Sequence, residues 1–378
     1  MQREFFGYDS LKNLKVILDE YKSKNIFLVT GKKSFTQSGA EQKIKIIFKN
    51  TKYTQFNSFE SNPTISDVKQ GLILFKKVKP DLVIAIGGGS TIDIAKTINA
   101  LAFNKGEPTS YITGKKKLEK QGLPLVAIPM TAGTGSEATS FATIYIDKVK
   151  YSLSHEKLIL PTVSIVDPSL TESMSKYLTA STGMDALCQG IESIWSISST
   201  KESRKYANEA VKIAFNTIEK AVNNPDKVSR LNMAKAANLS GRAINISKTT
   251  SSHSISYPIT AYFGIPHGHA VALTIPEILE FNYNVKKEDC NDIRGVKFVK
   301  KRLNDIITLI ESKDEIQAKD KIKKLMKKIG LETKLRRLNI NKKDIELIVE
   351  KGFTANRMSN NPRKIKREHL RSMLERIL

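Results

Sequence analysis

Cysteine is scarce in this chain, with Cys188 and Cys290 the only two in 378 residues. Two thiols make no disulfide framework, so the expected compartment is a reducing cytoplasm. Tryptophan occurs once and histidine five times. No apolar run approaches the roughly 20 residues needed to span a bilayer, and the start of the chain, Met1-Gln2-Arg3-Glu4, carries no signal-like apolar region. No membrane partner is therefore expected. Acidic residues are also in deficit: 38 Asp and Glu face 62 Lys and Arg, a formal net charge of +24. Such an excess raises the question of nucleic acid. Here the cations are dispersed and lack interleaved aromatics, the pattern of a solvated surface, so no nucleic-acid partner is expected. A remaining use for the charge is attraction of an anionic substrate.

What is present is ordinary globular composition, 40% hydrophobic and 26% charged. The length allows two domains with real cores. Over the first 170 residues strand-like and helix-like patterns alternate. Residues 25–30 and 81–86 read as buried strands, 125–129 and 163–166 as shorter ones, and 65–78 as a helix. Ser90 is the expected N-cap of a helix running through Ile92, Ile94 and Ala95. Strands alternating with helices predict a parallel sheet covered on both faces. After Asp167-Pro168 the texture changes to amphipathic helices, at 202–221, 228–246, 270–285 and 294–311. The expected domains are therefore 1–172, α/β with a parallel sheet, and 173–378, all-α.

Three segments of the first domain offer cofactor contacts. Gly87-Gly88-Gly89-Ser90-Thr91-Ile92-Asp93 lies between a strand and a helix. Glycines there allow close backbone approach, and a helix N-terminus offers free N–H groups to a phosphate. Three glycines exceed what a tight turn needs, which favours phosphate binding over a turn alone. The segment is neither a Walker motif nor Gly-x-Gly-x-x-Gly. Thr131 to Ser136 also follows a strand and leads toward an expected helix; Thr134 and Ser136 add small hydroxyls. Alone it reads equally well as a polar capping loop, but two such loops at strand C-termini suit a nucleotide. Gly31-Lys32-Lys33-Ser34 ends the 25–30 strand where an acidic residue would accept a ribose hydroxyl. Cations there suit a 2′-phosphate, which favours NADPH while leaving NADH open; the alternative is a solvated loop.

In the second domain Asp185 and Gln189 stand one helical turn apart on a common face. Three of the five histidines, His253, His267 and His269, fall between positions 253 and 269. An isolated histidine is more often packed than ligating, but Pro266-His267-Gly268 fixes its imidazole between a rigid and a permissive residue. Carboxylate and imidazole suit Fe²⁺ or Zn²⁺.

Taken together, Gly87 to Asp93, Thr131 to Glu137, Gly183-Met184-Asp185-Ala186-Leu187 and Ile265-Pro266-His267-Gly268 resemble the iron-containing (group III) alcohol dehydrogenase family. The resemblance runs over nearly the whole chain. It implies a dinucleotide-binding α/β domain and a helical metal-binding domain, the dehydroquinate synthase-like fold. It also implies interconversion of an alcohol and an aldehyde with NAD(P). The family holds its metal with one Asp and three His. Asp185, His253 and His267 match three of these positions. The fourth is Gln189, and a further His commonly found after His253 is Tyr257. Asp185 to Gln189, Lys248 to His253 and His267-Gly268-His269 are similar to the phosphonoacetaldehyde reductase subgroup. The implied substrate is then a small anionic aldehyde, with Lys248, Arg357 and Arg363 as candidate anion contacts.

On this reading the dinucleotide pyrophosphate meets Gly88, Gly89 and Ser90, with Thr131 and Thr134 at the nicotinamide half. Asp185, Gln189, His253 and His267 hold the metal. Tyr257 or His269 supplies the proton to the product alkoxide. A homodimer is the expected assembly. The alternatives are a general short-chain alcohol dehydrogenase, a sugar- or glycerol-phosphate dehydrogenase, and a non-catalytic nucleotide- or nucleic-acid-binding protein.

Overall fold

The computed structural model describes residues 2–49 and 51–378. The chain divides into two compact units, 1–174 and 175–378.

The first unit is built on a six-stranded parallel sheet. Its strands are β1 (Arg3–Phe6), β2 (Asn25–Thr30), β3 (Lys52–Phe56), β4 (Leu82–Gly87), β5 (Leu125–Pro129) and β8 (Val163–Val166), ordered β1-β8-β5-β4-β2-β3. β2, β4, β5 and β8 are apolar and buried almost throughout, as a sheet covered on both faces requires. One core cluster joins Phe27, Val83, Ala127, Ile94 and Ile98; the other joins Ile26, Ile84, Val126, Ile165 and Leu14. The alternation of Ile26 and Phe27 between them is the period-two signature of a strand. The helix Ile65–Val78 begins on a capping box in which Thr64 and Asp67 exchange hydrogen bonds.

Two expectations are corrected. The helix after β4 spans Gly89–Ala102 with Gly88 as its N-cap, so Ser90 lies inside the first turn. Its hydroxyl accepts instead from the Asn62 amide. The Thr131–Glu137 segment leads to a short 3₁₀ turn, Ser136–Ala138, and then into an antiparallel hairpin of β6 (Phe141–Ile146) and β7 (Val149–Ser154). Gly135 in the left-handed region and Thr139 in extended geometry prevent the expected helix from forming.

The second unit is helical. Its central helix, Lys176–Trp195, is buried without interruption from Gly183 to Trp195. Lys201–Asn223, Lys227–Ser247 and His267–Tyr283 pack around it. Glycine is required where these helices meet, since a Cβ on Gly183 would lie 2.7 Å from Ile218 and one on Gly190 2.8 Å from Val211.

A buried carboxylate ties two further helices, Glu315–Lys328 and Arg367–Arg376, to His267–Tyr283. Glu277, 1% exposed, accepts from Lys319, Lys323 and Arg376 at 2.7–2.9 Å. Burial pushes its pKa up, but hydrogen bonds from the three cations outweigh burial and hold it at about 2. The folded value lies below the unfolded one, so its stabilisation is present above pH ~4.5 and is lost as pH falls toward 2. Glu277→Gln should cost the helical unit roughly 3 kcal/mol at neutral pH. The difference from wild type should shrink through that acid window, as read by urea unfolding at a series of pH values.

Candidate metal centre and cofactor loops

In the first unit, parallel pairing of β2, β4 and β5 brings Gly31, Gly87 and Pro129 to one edge of the sheet. This is the edge where open α/β sheets bind ligands. The three glycines after β4 have separate reasons to be there. A Cβ on Gly87 would meet Thr91 at 2.4 Å, and one on Gly89 would meet Thr134 at 2.8 Å. Close approach to Thr91 in the same segment and to Thr134 of the second loop therefore accounts for two glycines, and glycine number alone does not argue for phosphate. A 14-residue helix starts at Gly89, and its N-cap, Gly88, carries no side chain to cap it, so its first amides are offered to a phosphate.

Asp93 and Ser136 prove to be internal braces. Asp93 accepts from Ser136 Oγ at 2.5 Å and from the Thr143 amide at 2.9 Å. Lys96, 1% exposed, donates to the carbonyls of Ser136, Thr139 and Phe141 at 2.5, 2.8 and 3.0 Å. Burial lowers its pKa to about 8, against the opposing pull of Asp93 and Glu137. Asp93, Lys96 and Ser136 thus fasten the Thr131–Ser136 loop to the helix below it. Asp93 and Ser136, expected as cofactor contacts, are held as supports of the loop that carries Thr131 and Thr134. Lys32 forms an ion pair with Glu60, and Lys33 is the second candidate cation beside Ser34.

In the second unit, Asp185, His253 and His267 offer ligand atoms that all lie within 4.8 Å of one another. Asp185 and His253 are 2% and 4% exposed, and His267 is partly buried. His253 Nε2 faces Asp185 Oδ1 at 3.4 Å and has no hydrogen-bond partner among the described residues. A buried, unsatisfied imidazole nitrogen beside a carboxylate and a second imidazole is a donor set that fits a divalent cation. Two His and one carboxylate are also the set used by non-haem Fe²⁺ sites.

Local structure explains the convergence. Asp185 is central in its buried helix. His253 is the third residue of Ser251–Phe263, and His267 the first of His267–Tyr283. Gly264, at φ 70°, ends the His253 helix, and Pro266 turns the chain into the next. Gly268 then lets that helix approach the Asp185 helix, since a Cβ there would lie 2.0 Å from the Ser181 carbonyl oxygen and 2.8 Å from Asp185 Cβ.

Glu192, which the sequence reading missed, lies fully buried two turns after Asp185. It accepts from His253 Nδ1 at 2.6 Å and from the amides of Thr250 and Ser252 at 2.9 and 2.8 Å. Burial raises its pKa, but His253 and these donors outweigh that and hold the carboxyl below its ordinary range. Burial alone would depress the His253 imidazole; Glu192 and Asp185 reverse this and raise it to about 9. A carboxylate at i+7 on the Asp185 face was the available signal.

The remaining candidates divide. Tyr257 stacks its ring on His267, centroids 6.2 Å apart. Gln189 is buried, and its Oε1 accepts from Ser240 Oγ at 2.9 Å. His269 is the other candidate proton donor. Its Nε2 bonds the Glu332 carbonyl at 2.8 Å and its Nδ1 the Tyr177 hydroxyl at 3.0 Å, so both nitrogens are occupied. Burial also lowers its pKa, which suits a neutral structural imidazole. Arg363, a candidate anion contact, donates to Asp289 and the Phe281 carbonyl, both at 2.7 Å, and lies over the Phe281 ring. Lys248 donates to the Asn245 carbonyl at 2.9 Å, and Arg357 is partly buried near the end of a short helix, Ala355–Ser359.

The first unit thus has a sheet edge suited to a dinucleotide, and the second a buried His-His-Asp cluster suited to a divalent cation. Residues 2–168 match the family described as iron-containing alcohol dehydrogenase, and residues 179–378 match its C-terminal region. The chain belongs to the iron-containing alcohol dehydrogenase family, and it is an enzyme of the NAD(P)-dependent alcohol and aldehyde oxidoreductases. It is 34% identical over 308 residues to phosphonoacetaldehyde reductase of Streptomyces viridochromogenes, covering 79% of this chain and 76% of that protein. It is 33% identical over 311 residues to the NAD-dependent methanol dehydrogenase of Bacillus methanolicus, covering 82% and 80%. The structure of sulfoacetaldehyde reductase from Bifidobacterium kashiwanohense in complex with NAD⁺ superposes with a TM-score of 0.88 at 30% identity, covering all of this chain and 96% of that one. Among the described residues no helix is long and apolar enough to cross a membrane.

Proposed function

We propose that this enzyme reduces a small anionic aldehyde to a primary alcohol, and that the substrate is phosphonoacetaldehyde, giving 2-hydroxyethylphosphonate. The observation that carries the reading is the cluster of Asp185, His253 and His267. Those three residues hold the metal, Fe²⁺ by the donor set, with Gln189 the candidate for a fourth position. When bound, the metal supplies Lewis-acid polarisation of a carbonyl and the dinucleotide supplies hydride. The chain's own tasks are to orient these groups and to deliver one proton. Gly88, Gly89 and Ser90 receive the pyrophosphate, Thr131 and Thr134 the nicotinamide half, and Gly31, Lys33 and Ser34 the adenosine end, favouring NADPH. Tyr257 is the proton donor, since its ring lies against His267 while His269 is engaged elsewhere. Lys248 and Arg357 are the cations assigned to the substrate anion. The net charge of +24 favours arrival of such a substrate. The enzyme works as a cytoplasmic homodimer.

Two of the relatives act on acetaldehydes that carry an acidic group, which supports this choice. A general short-chain alcohol dehydrogenase is the second reading, favoured by the methanol dehydrogenase relative and by the engagement of Arg363. Purified enzyme should be assayed with phosphonoacetaldehyde, sulfoacetaldehyde and propanal, each with NADPH and with NADH. One charge-assisted contact to the anion predicts kcat/KM for phosphonoacetaldehyde at least about tenfold above that for propanal. Equal values for the two would establish the general enzyme instead.

A further inference from the structure

Both imidazoles of the cluster can be assigned a proton by counting donors and acceptors. An ionised carboxylate only accepts. Glu192 Oε2 receives the Thr250 amide and His253 Nδ1, and Oε1 receives the Ser252 amide. His253 Nδ1 therefore carries hydrogen, and Nε2 is the atom turned toward Asp185. Ser256 has one hydroxyl proton, and its shorter bond, 2.7 Å, goes to the His253 carbonyl. Toward His267 Nδ1, at 3.1 Å, its oxygen must then accept. His267 Nδ1 carries hydrogen as well, and its Nε2 is left as the donor atom.

We propose that Glu192 and Ser256 are positioning residues that lock both histidines into the tautomer and ring orientation in which Nε2 binds the metal. Glu192 carries the larger share. It is fully buried, it fixes the imidazole directly, and it holds the first turn of the His253 helix through two amides. Thr250, the N-cap of that helix, makes no side-chain cap of its own. It accepts instead from Trp195 Nε1 at 2.9 Å, so the carboxylate from a separate helix takes over the cap. Ser256 is a second, independent arm, joining the two ligand segments through one oxygen. Partners of this kind commonly change metal affinity by about 10- to 100-fold when removed.

The inference rests on the metal reading above, and the test separates the two. Zn²⁺ affinity of the metal-free protein is measured by competition with a chromophoric chelator for wild type, Glu192→Gln and Ser256→Ala, with Co²⁺ absorption spectra as the report on ligand geometry. Glu192→Gln should weaken Zn²⁺ by roughly 10- to 100-fold and shift the Co²⁺ bands, and Ser256→Ala should weaken it by less than about tenfold. Wild type that binds neither ion would remove the metal site and the inference with it. Wild type that binds, with folded Glu192→Gln equal to it in affinity and spectrum, would overturn the positioning role alone. If Glu192→Gln does not fold, Ser256→Ala decides: unchanged affinity and spectrum overturn the proposal, and a shift in both supports it.

Discussion

Gly268→Ala is expected to abolish stoichiometric metal binding while leaving the helical unit folded. The added Cβ would stand 2.0 Å from the Ser181 carbonyl oxygen and 2.8 Å from Asp185 Cβ. The first neighbour is helix backbone, so no side-chain rotation relieves the contact, and the His267–Tyr283 helix must move off the Asp185 helix. Overpacking of this kind costs about 1–3 kcal/mol, which a unit with this much buried surface survives. The metal site is less tolerant, because the residue that moves is adjacent to His267 and the residue it moves from is Asp185 itself. A displacement on the order of 1 Å at a reacting centre costs about 100-fold in rate. Metal content by mass spectrometry and a circular dichroism melt distinguish this outcome from unfolding. Full metal occupancy in the variant would show that Gly268 has no bearing on the centre.

Lys96→Met should destabilise the first unit by roughly 3–5 kcal/mol and weaken dinucleotide binding together. The ammonium is the common partner of three carbonyls and two hydroxyls in the 136–141 segment. Methionine nearly matches its volume, so the cost is electrostatic and not a cavity. The carbonyls lose their donor, and Asp93, whose pKa burial already raises, loses the nearest cation. The loop from Thr131 to Ser136 is anchored by the same atoms, so its ordering should be lost before the sheet unfolds. Urea unfolding and a fluorescence titration with NADPH measure the two effects. Unchanged nucleotide affinity in a destabilised variant would confine Lys96 to folding.

What the sequence made legible was local. The apolar run ending at Gly87 is a strand and a helix follows the glycines, as expected, although the helix begins at Gly89 with Gly88 and not Ser90 as its N-cap. Asp185, His253 and His267 were recognisable because each sits in its own motif. The residues that make those motifs work were not recognisable, because their partners are distant in sequence. Glu192 meets His253 across 61 residues, and Lys96 meets Thr139 across 43. Lys96 reads as a solvated helix residue until a hairpin folds over it. The partners of His269 and Arg363 were equally hidden. A histidine two residues from a ligand and an arginine near the chain end look functional, but their polar atoms are already taken by neighbouring carbonyls, a hydroxyl and a carboxylate.

The central claim is one divalent cation held by Asp185, His253 and His267. Metal analysis of the protein purified without added chelator, beside His267→Ala prepared identically, tests it most directly. Wild type should carry about one iron or zinc per chain, and the folded variant should lose nearly all of it. Equal metal in both proteins, or none in wild type after incubation with Fe²⁺ and Zn²⁺, would contradict it.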